Sequence, residues 1–128
     1  MAENPHLSVI VPAYNEEPNF KKSTIDQVPK YLEKQDYSYE IIIIDDGSED
    51  NTAKLADDFA KKHASVRIIK NPHQGKAETV KTGVEKAQGE LILFTDFDQA
   101  TPISEIEKLL PFFGDYDIVI GSRQLPGA

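Results

Sequence analysis

The chain has 128 residues, of which 39% are apolar and 28% are charged. That length fits one domain with a buried core, and the composition is typical of a globular protein. The 14 Lys and Arg are outnumbered by 22 Asp and Glu, and the resulting formal charge of −8 disfavours nucleic acid as a partner. The absence of cysteine excludes disulfides, thiolate zinc sites and a cysteine nucleophile, and it fits a reducing compartment.

Five short apolar runs recur along the chain, and each is continuous, not alternating. They cover residues 7–11, 41–44, 66–69, 91–94 and 118–120. Continuous runs of this length are typical of strands that are buried on both faces of a parallel sheet. None approaches the roughly 20 apolar residues needed to cross a bilayer. The runs therefore predict five strands.

The segments between these runs have helical spacing, with small and apolar side chains recurring every three or four residues. Pro29 interrupts the first segment and is expected to kink the helix or to begin a second one. Gly83 lies inside the third segment and predicts close packing of that helix on the sheet. The alternation predicts an α/β fold with a doubly wound, mostly parallel sheet, of about five strands and four helices.

Polar clusters follow four of the predicted strands, at the edge where open α/β sheets bind their ligands. The clusters are Pro12-Ala13-Tyr14-Asn15-Glu16-Glu17, Asp45-Asp46-Gly47-Ser48, Asn71-Pro72-His73-Gln74-Gly75-Lys76 and Thr95-Asp96-Phe97-Asp98. Because the carboxyl ends of parallel strands lie along one edge, we expect the four clusters to converge on a single rim.

Asp96 and Asp98 are the candidate metal ligands. They are two residues apart where a buried strand ends, so in extended geometry both carboxylates point to the same side. Mg²⁺ and Mn²⁺ favour such paired hard oxygens, completed by phosphate oxygens of a ligand. The alternative is a turn in which Asp96 or Asp98 caps the helix that begins near Ser104. The spacing alone leaves both interpretations open.

Asp45 and Asp46 follow four isoleucines, so at least one carboxylate is held at the edge of the strand. There it can accept hydrogen bonds from a base N–H or from ribose hydroxyls. The alternative is that Asp46 or Ser48 caps the second helix while Gly47 supplies the turn. The two roles can coexist on different atoms.

The other polar side chains at the rim also allow two interpretations each. Tyr14 can stack on a base while Glu16 accepts a hydrogen bond from it, or the pair is a loop aromatic and a helix-start carboxylate. Gly75 and Lys76 open the third helix, where free backbone N–H groups and an ammonium can meet phosphate, or the lysine is simply solvated. Arg123 follows the fifth run. Its guanidinium is a candidate to bind phosphate through two N–H groups, or it is a surface arginine.

The three histidines, His6, His63 and His73, have no metal-ligand spacing, and we interpret them as structural or solvated. Other phosphate-binding classes need motifs that are missing here. Neither a Gly-x-Gly-x-x-Gly turn nor a Walker A loop follows the first predicted strand.

Taken together, the clusters resemble the amino-terminal half of a family 2 glycosyltransferase of the GT-A fold, in chain order and almost end to end. The resemblance rests on residues 8–17, on residues 40–52 with Asp-Asp-Gly-Ser, on residues 71–77 with Gly-Lys, and on Gly89-Glu90 leading into the acidic pair. Thr101-Pro102 and residues 118–123 are most similar to the branch that transfers glucose or mannose to dolichyl and other polyprenyl phosphates.

The resemblance implies a role for each cluster. The implied nucleotide-sugar-binding residues are Pro12, Ala13, Tyr14, Glu16, Asp45, Asp46, Gly75, Lys76 and Asp96. Asp96 would face the ribose or sugar, and Asp98 would bind the Mg²⁺ or Mn²⁺ that bridges the diphosphate. Asp98 and Arg123 would be the catalytic side chains. Two departures are Phe97, where the family usually has a small residue, and Gln99, where it usually has an apolar one. Phe97 is expected to point away from the carboxylates.

The resemblance also implies a function. Residues 1–128 correspond to the nucleotide-sugar-binding half, and the acceptor-binding half of the family is absent. The implied activity is metal-dependent binding of a UDP-glucose- or GDP-mannose-type donor for inverting transfer to a polyprenyl phosphate. The alternative is a nucleotide-sugar-binding half domain without turnover. We expect an exposed sheet edge to pair with a second copy as a homodimer. We also expect a cytoplasmic location, at the cytosolic membrane face where the chain is part of a longer protein.

Overall fold

A four-stranded, all-parallel sheet forms the centre of the computed structural model, which describes residues 4–122. The strands are β1 (Leu7–Ala13), β2 (Tyr39–Asp46), β3 (Val66–Asn71) and β4 (Leu91–Phe94). Their order across the sheet is β3-β2-β1-β4, so β1 and β2 occupy the middle. This order brings the polar residues after all four strands to the same edge of the sheet.

Helices cover both faces of the sheet. They are α1 (Glu17–Lys21), α2 (Gln27–Leu32), α3 (Thr52–Lys62) and α4 (Lys76–Lys86). Short 3-10 helices span Thr24–Asp26, Ile103–Lys108 and Leu110–Gly114. The predicted doubly wound α/β class is therefore confirmed. Within residues 4–122, no helix has both the length and the apolar character needed to cross a membrane.

The core divides into two layers because successive strand side chains point to opposite faces. On one face, Val9 and Ile43 pack with Val28 of α2 and Phe59 of α3. On the other face, Ile10, Ile42 and Ile44 form a smaller cluster. The central strands are apolar on both faces for this reason, which explains the continuous runs in the sequence.

Helix α4 lies close to this second face, at Gly83. A Cβ atom on Gly83 would lie 2.4 Å from Cγ2 of Ile10 and 2.9 Å from Cδ1 of Ile44. Glycine therefore allows a separation between helix and sheet that any other residue would prevent. The close packing expected from the sequence is confirmed.

The prediction of a fifth strand at residues 118–120 is wrong, because the structure describes these residues and they form no strand. Ile118 is 83% exposed and Ile120 is 78% exposed. An apolar run forms a strand only when its backbone pairs with a neighbouring strand, and residues 118–120 do not pair with the outer edge of β4 in the part of the chain that the structure describes.

Two of the predicted helices are divided, and a proline accounts for one of the two divisions. The fourth helix is two 3-10 segments, because Pro111 has no N–H to continue a helix and its ring clashes with the preceding turn. The first helical segment divides at Ser23, which has a φ of +59°. The second helix expected near Pro29 is α2, which begins at Gln27. Pro29 lies in its first turn, where a backbone N–H has no intrahelical partner, so the proline does not kink this helix.

Candidate functional site

A cleft of about 360 Å³ lies at the carboxyl edge of the sheet. The sequence-predicted residues that line it are Pro12, Ala13, Tyr14, Glu16, Asp46, Gly75, Lys76, Asp96 and Asp98. His73, Thr79 and Phe97 complete the lining. Asp45 is not part of the lining, and Arg123 lies outside the described residues. Three separate polar clusters therefore contribute to one cavity, together with Asp46 from a fourth.

Asp46 fastens the loop after β3 to the end of β2. Its two carboxylate oxygens accept the backbone N–H groups of Gln74 at 2.8 Å and Gly75 at 3.0 Å. Nδ1 of His73 lies 2.9 Å from the same carboxylate. Burial acts to raise the pKa of Asp46, but the hydrogen bonds from Gln74 and Gly75, aided by Thr79 and His73, outweigh it and hold the pKa below its usual value.

Asp45 is buried and closes the turn that follows β2. Its carboxylate accepts hydrogen bonds from both the hydroxyl and the backbone N–H of Ser48. Gly47 supplies the turn with a φ of +69°, as expected. Neither Asp46 nor Ser48 caps α3, because the N-cap residue is Asn51 and no side chain caps it. The capping alternative is therefore wrong.

Glu16 lies where negative charge concentrates. Its backbone N–H donates to Oγ1 of Thr52 at 2.8 Å, which ties the loop after β1 to the start of α3. Burial raises the pKa of the Glu16 carboxyl, and the nearby charges of Asp98, Asp50 and Asp96 raise it further. A cation entering the cleft would relieve this repulsion.

The segment after β4 presents Asp96 and Asp98 to solvent while Phe97 points inward. Phe97 is buried and packs edge-on against Phe20, with ring centroids 4.7 Å apart. Its expected direction is confirmed. Asp98 accepts the N–H of Ala100 at 3.0 Å.

Gln99 is the residue that bonds the start of the following helix. Its Oε1 accepts the N–H of Ile103 at 2.9 Å, and its Nε2 donates to the carbonyl of Asp96. The idea that Asp96 or Asp98 caps this helix is therefore wrong. Both carboxylates remain available to a ligand.

Two exposed carboxylates fit the donor set for Mg²⁺ or Mn²⁺, which takes one or two carboxylates and fills its remaining positions with water or phosphate oxygens. Residues 4–122 contain no group of three or more His, Cys, Asp or Glu side chains arranged to hold a metal. One carboxylate oxygen of Asp96 accepts a hydrogen bond from Lys76, and one oxygen of Asp98 accepts the N–H of Ala100. The arrangement therefore suits a cation that arrives with a phosphate ligand, not a closed structural site.

Lys76 begins α4 and reaches across the cleft. Its ammonium lies 2.7 Å from Oδ1 of Asp96 and 5.2 Å from the ring centre of Phe94. The N–H of Gly75 is already donated to Asp46, so this group is not free to bind phosphate as the sequence suggested. The cation of Lys76 is instead the positive charge that an anionic ligand would meet.

His73 was missed as a residue of the site. Its ring stacks on that of Tyr14, with centroids 4.2 Å apart and planes inclined by 26°. Of the other histidines, His6 approaches Glu90 and His63 contacts Phe59, as expected for structural or solvated side chains. No spacing signal separates His73 from these two, but its place two residues before Gly75, in a loop at the carboxyl edge, could have.

The parallel sheet, the acidic pair after β4 and the Gly-Lys helix start define a GT-A type of α/β domain. The family model described as "Glycosyl transferase family 2" matches residues 8–127, and the chain belongs to this family. A dolichyl-phosphate beta-glucosyltransferase of Trichomonas vaginalis is 38% identical over 136 residues, covering 96% of this chain and 40% of that protein. The dolichyl-phosphate beta-glucosyltransferase of Mus musculus is 40% identical over 113 residues, covering 80% of this chain and 34% of that protein. The chain thus spans 40% or less of these relatives' length.

Solved structures have the same fold. The mannosyltransferase PcManGT of Pyrobaculum calidifontis, in complex with GDP-Man and Mn²⁺, has a TM-score of 0.63 and 29% identity over 76% of this chain and 28% of its own. TarS 1-349 of S. aureus, in complex with UDP, has a TM-score of 0.57 and 28% identity over 73% of this chain and 27% of its own. The predicted family and fold are confirmed.

Proposed function

We propose that this chain binds a nucleotide sugar of the UDP-glucose or GDP-mannose type together with Mg²⁺ or Mn²⁺, for inverting transfer of the sugar to a polyprenyl phosphate. The observation that carries the proposal is the cleft itself. It places an aromatic side chain, a lysine and two exposed carboxylates around one cavity, at the edge where open α/β sheets bind ligands.

Each side of the cleft suits one part of such a donor. Tyr14 and His73 offer aromatic surface to a base, and Glu16 can accept hydrogen bonds from the nucleoside. Lys76 offers positive charge to the diphosphate at the start of α4. Asp96 and Asp98 would hold the cation that a diphosphate needs in order to approach a protein with a formal charge of −8.

Transfer to a lipid phosphate asks little of a general base, because the acceptor is already anionic at neutral pH. The bound cation would stabilise the negative charge that develops on the departing nucleoside diphosphate. This chain's own residues would orient the donor and hold its phosphates. Arg123 is proposed as a further phosphate contact.

The relatives support this substrate class. Dolichyl phosphate appears in the names of relatives that are 38% and 40% identical, and a structural neighbour was solved with GDP-Man and Mn²⁺. The choice between glucose and mannose, and between Mg²⁺ and Mn²⁺, is part of the proposal. A location at the cytosolic membrane face is also part of the proposal.

Thermal unfolding tests the binding step. UDP-glucose or GDP-mannose at about 100 times its dissociation constant, with Mn²⁺, should stabilise the protein by roughly 2.7 kcal/mol. The measurement is the melting temperature with nucleotide sugar alone, with Mn²⁺ alone and with both. A folded protein whose melting temperature does not respond to any of these mixtures contradicts the proposed site.

The second candidate is a nucleotide-sugar-binding unit without turnover of its own. It is favoured by the short length of the match, which covers 40% or less of the relatives. Transfer of radiolabelled glucose or mannose to dolichyl phosphate by the 128-residue chain separates the two candidates. Product formation rejects the second candidate, whereas donor binding without product rejects turnover by this chain.

A further inference from the structure

The hydrogen-bond partners of His73 define which ring nitrogen carries the proton. Nδ1 lies 2.9 Å from the carboxylate of Asp46 and 3.1 Å from its carbonyl oxygen. Both of these oxygens accept hydrogen bonds and neither donates one. Nδ1 of a neutral His73 therefore holds the hydrogen, and Nε2 carries a lone pair.

This lone pair is available at the cleft. The His73 side chain lines the cavity, and 55% of it is exposed. Among the contacts of the described residues, none involves Nε2. The ring is held firmly, since Tyr14 stacks on one face and Asp46 fixes its orientation through Nδ1. The result is a rigid hydrogen-bond acceptor beside the aromatic surface of the cleft.

Nucleobases differ at the position that such an acceptor would read. Uracil has an N3–H and guanine an N1–H, whereas cytosine and adenine carry an unprotonated nitrogen at the matching ring position. An acceptor nitrogen can bond the first two edges, but its lone pair would face another lone pair on the other two.

We propose that His73 is a specificity-determining residue, which selects uracil or guanine by accepting the ring N–H through Nε2. This inference rests on the proposed nucleotide-sugar binding and adds the class of base. It also assigns Asp46 a positioning role, because its carboxylate keeps the proton on Nδ1 and so keeps Nε2 as an acceptor.

The test compares matched pairs of nucleoside diphosphates by calorimetry in the presence of Mn²⁺. The protein should bind UDP about five- to tenfold more tightly than CDP, or GDP more tightly than ADP by a similar factor, which is the effect of one hydrogen bond. N3-methyl-UDP, which lacks only the relevant hydrogen, should bind as weakly as CDP. For GDP, N1-methyl-GDP is the equivalent probe.

His73→Phe keeps an aromatic ring against Tyr14 but has no hydrogen-bond acceptor. The ratio of affinities within each pair of nucleoside diphosphates should therefore fall towards one, while binding of the diphosphates remains. His63→Phe is the matched control, because His63 contacts Phe59 away from the cleft. This variant should keep the wild-type preference for UDP over CDP or for GDP over ADP. His73→Leu, which also has no hydrogen-bond acceptor, gives a second variant should the phenylalanine substitution prevent folding.

The outcomes separate the two proposals. An undiminished preference for UDP or GDP in folded His73 variants overturns the role of His73 and leaves the nucleotide site intact. Tight binding of all four diphosphates without preference does the same. If the wild-type protein binds none of the four, the proposed function fails and this inference fails with it.

Discussion

Asp98 is the residue on which the metal proposal depends most directly. Asp98→Asn replaces one anionic oxygen with an amide, which is a poor ligand for Mg²⁺ or Mn²⁺. The extra stabilisation that Mn²⁺ adds to nucleotide-sugar binding should therefore disappear, while the protein stays folded because Asp98 is exposed. Thermal unfolding with and without Mn²⁺ measures the effect. Asp58→Asn, also exposed but on α3, is the control that should keep the full metal response.

Asp46 differs from Asp98 because it is buried and its carboxylate accepts hydrogen bonds from two backbone N–H groups. Asp46→Asn places an NH₂ group against the N–H groups of Gln74 and Gly75, so we expect a loss of about 1–3 kcal/mol in the free energy of unfolding. Urea denaturation at neutral pH measures this loss. Asp58→Asn should change stability very little. An Asp46→Asn protein as stable as the wild type would contradict the stabilising role of the Asp46 clamp, which is the pair of hydrogen bonds from Gln74 and Gly75 to its carboxylate.

The lowered pKa of Asp46 also determines how its contribution to the free energy of unfolding changes with pH. Its stabilising contribution is fully present above the ordinary value of 3.8 and is lost as the pH falls through the lower pKa of the folded state. The stability difference between wild type and Asp46→Asn should therefore shrink as the pH is lowered below about 4. Urea denaturation at a series of acidic pH values would show it.

At the level of single residues, the sequence identified most of the cleft but not His73. Tyr14, Lys76 and the two aspartates stand beside recognisable strand ends, which is why they could be predicted. The importance of His73 depends on its distances to Asp46 and Tyr14, which lie 27 and 59 positions away and meet it only in the folded chain. Sequence spacing contains no record of such contacts.

Among the elements, those with a partner were predictable and those without one were not. The four predicted strands that lie in the sheet overlap the apolar runs closely, because burial on both faces leaves a continuous signal. The run at residues 118–120 has the same signal, but among the described residues it pairs with no strand, and an apolar run alone does not reveal whether pairing occurs. Pro111, in turn, broke a helix whose apolar spacing was regular.

Gly83 provides a test of packing at the scale of elements. Gly83→Ala adds a methyl group that would lie 2.4 Å from Cγ2 of Ile10, so α4 must shift from the sheet. Despite the better helix propensity of alanine, we expect the free energy of unfolding to fall by about 1–3 kcal/mol. Chemical denaturation measures it, with Gly114→Ala as the control because nothing lies within 4 Å of a Cβ there. A Gly83→Ala protein more stable than the wild type would show that α4 can move away from the sheet at little energetic cost.

For the whole molecule, the outer edge of β4 leads to a prediction about assembly. Along the described residues this edge is unpaired, and Ile92 is 41% exposed. An exposed edge with an apolar side chain favours pairing with another strand, and we expect a homodimer formed through it. Light scattering should give twice the monomer mass at high concentration, and Ile92→Lys should restore the monomer. Val84→Lys on α4, where Val84 is 45% exposed, is the control. A wild-type protein that stays monomeric excludes the dimer.

The clamp formed by Asp46 has a consequence for how the cleft meets a ligand. A loop that must order itself on binding loses conformational entropy at that moment, and the measured affinity falls accordingly. Here a buried carboxylate holds the backbone of Gln74 and Gly75 before any ligand arrives. Part of that entropic cost is met during folding, so the cleft is preorganised and a donor would need little induced fit on this side.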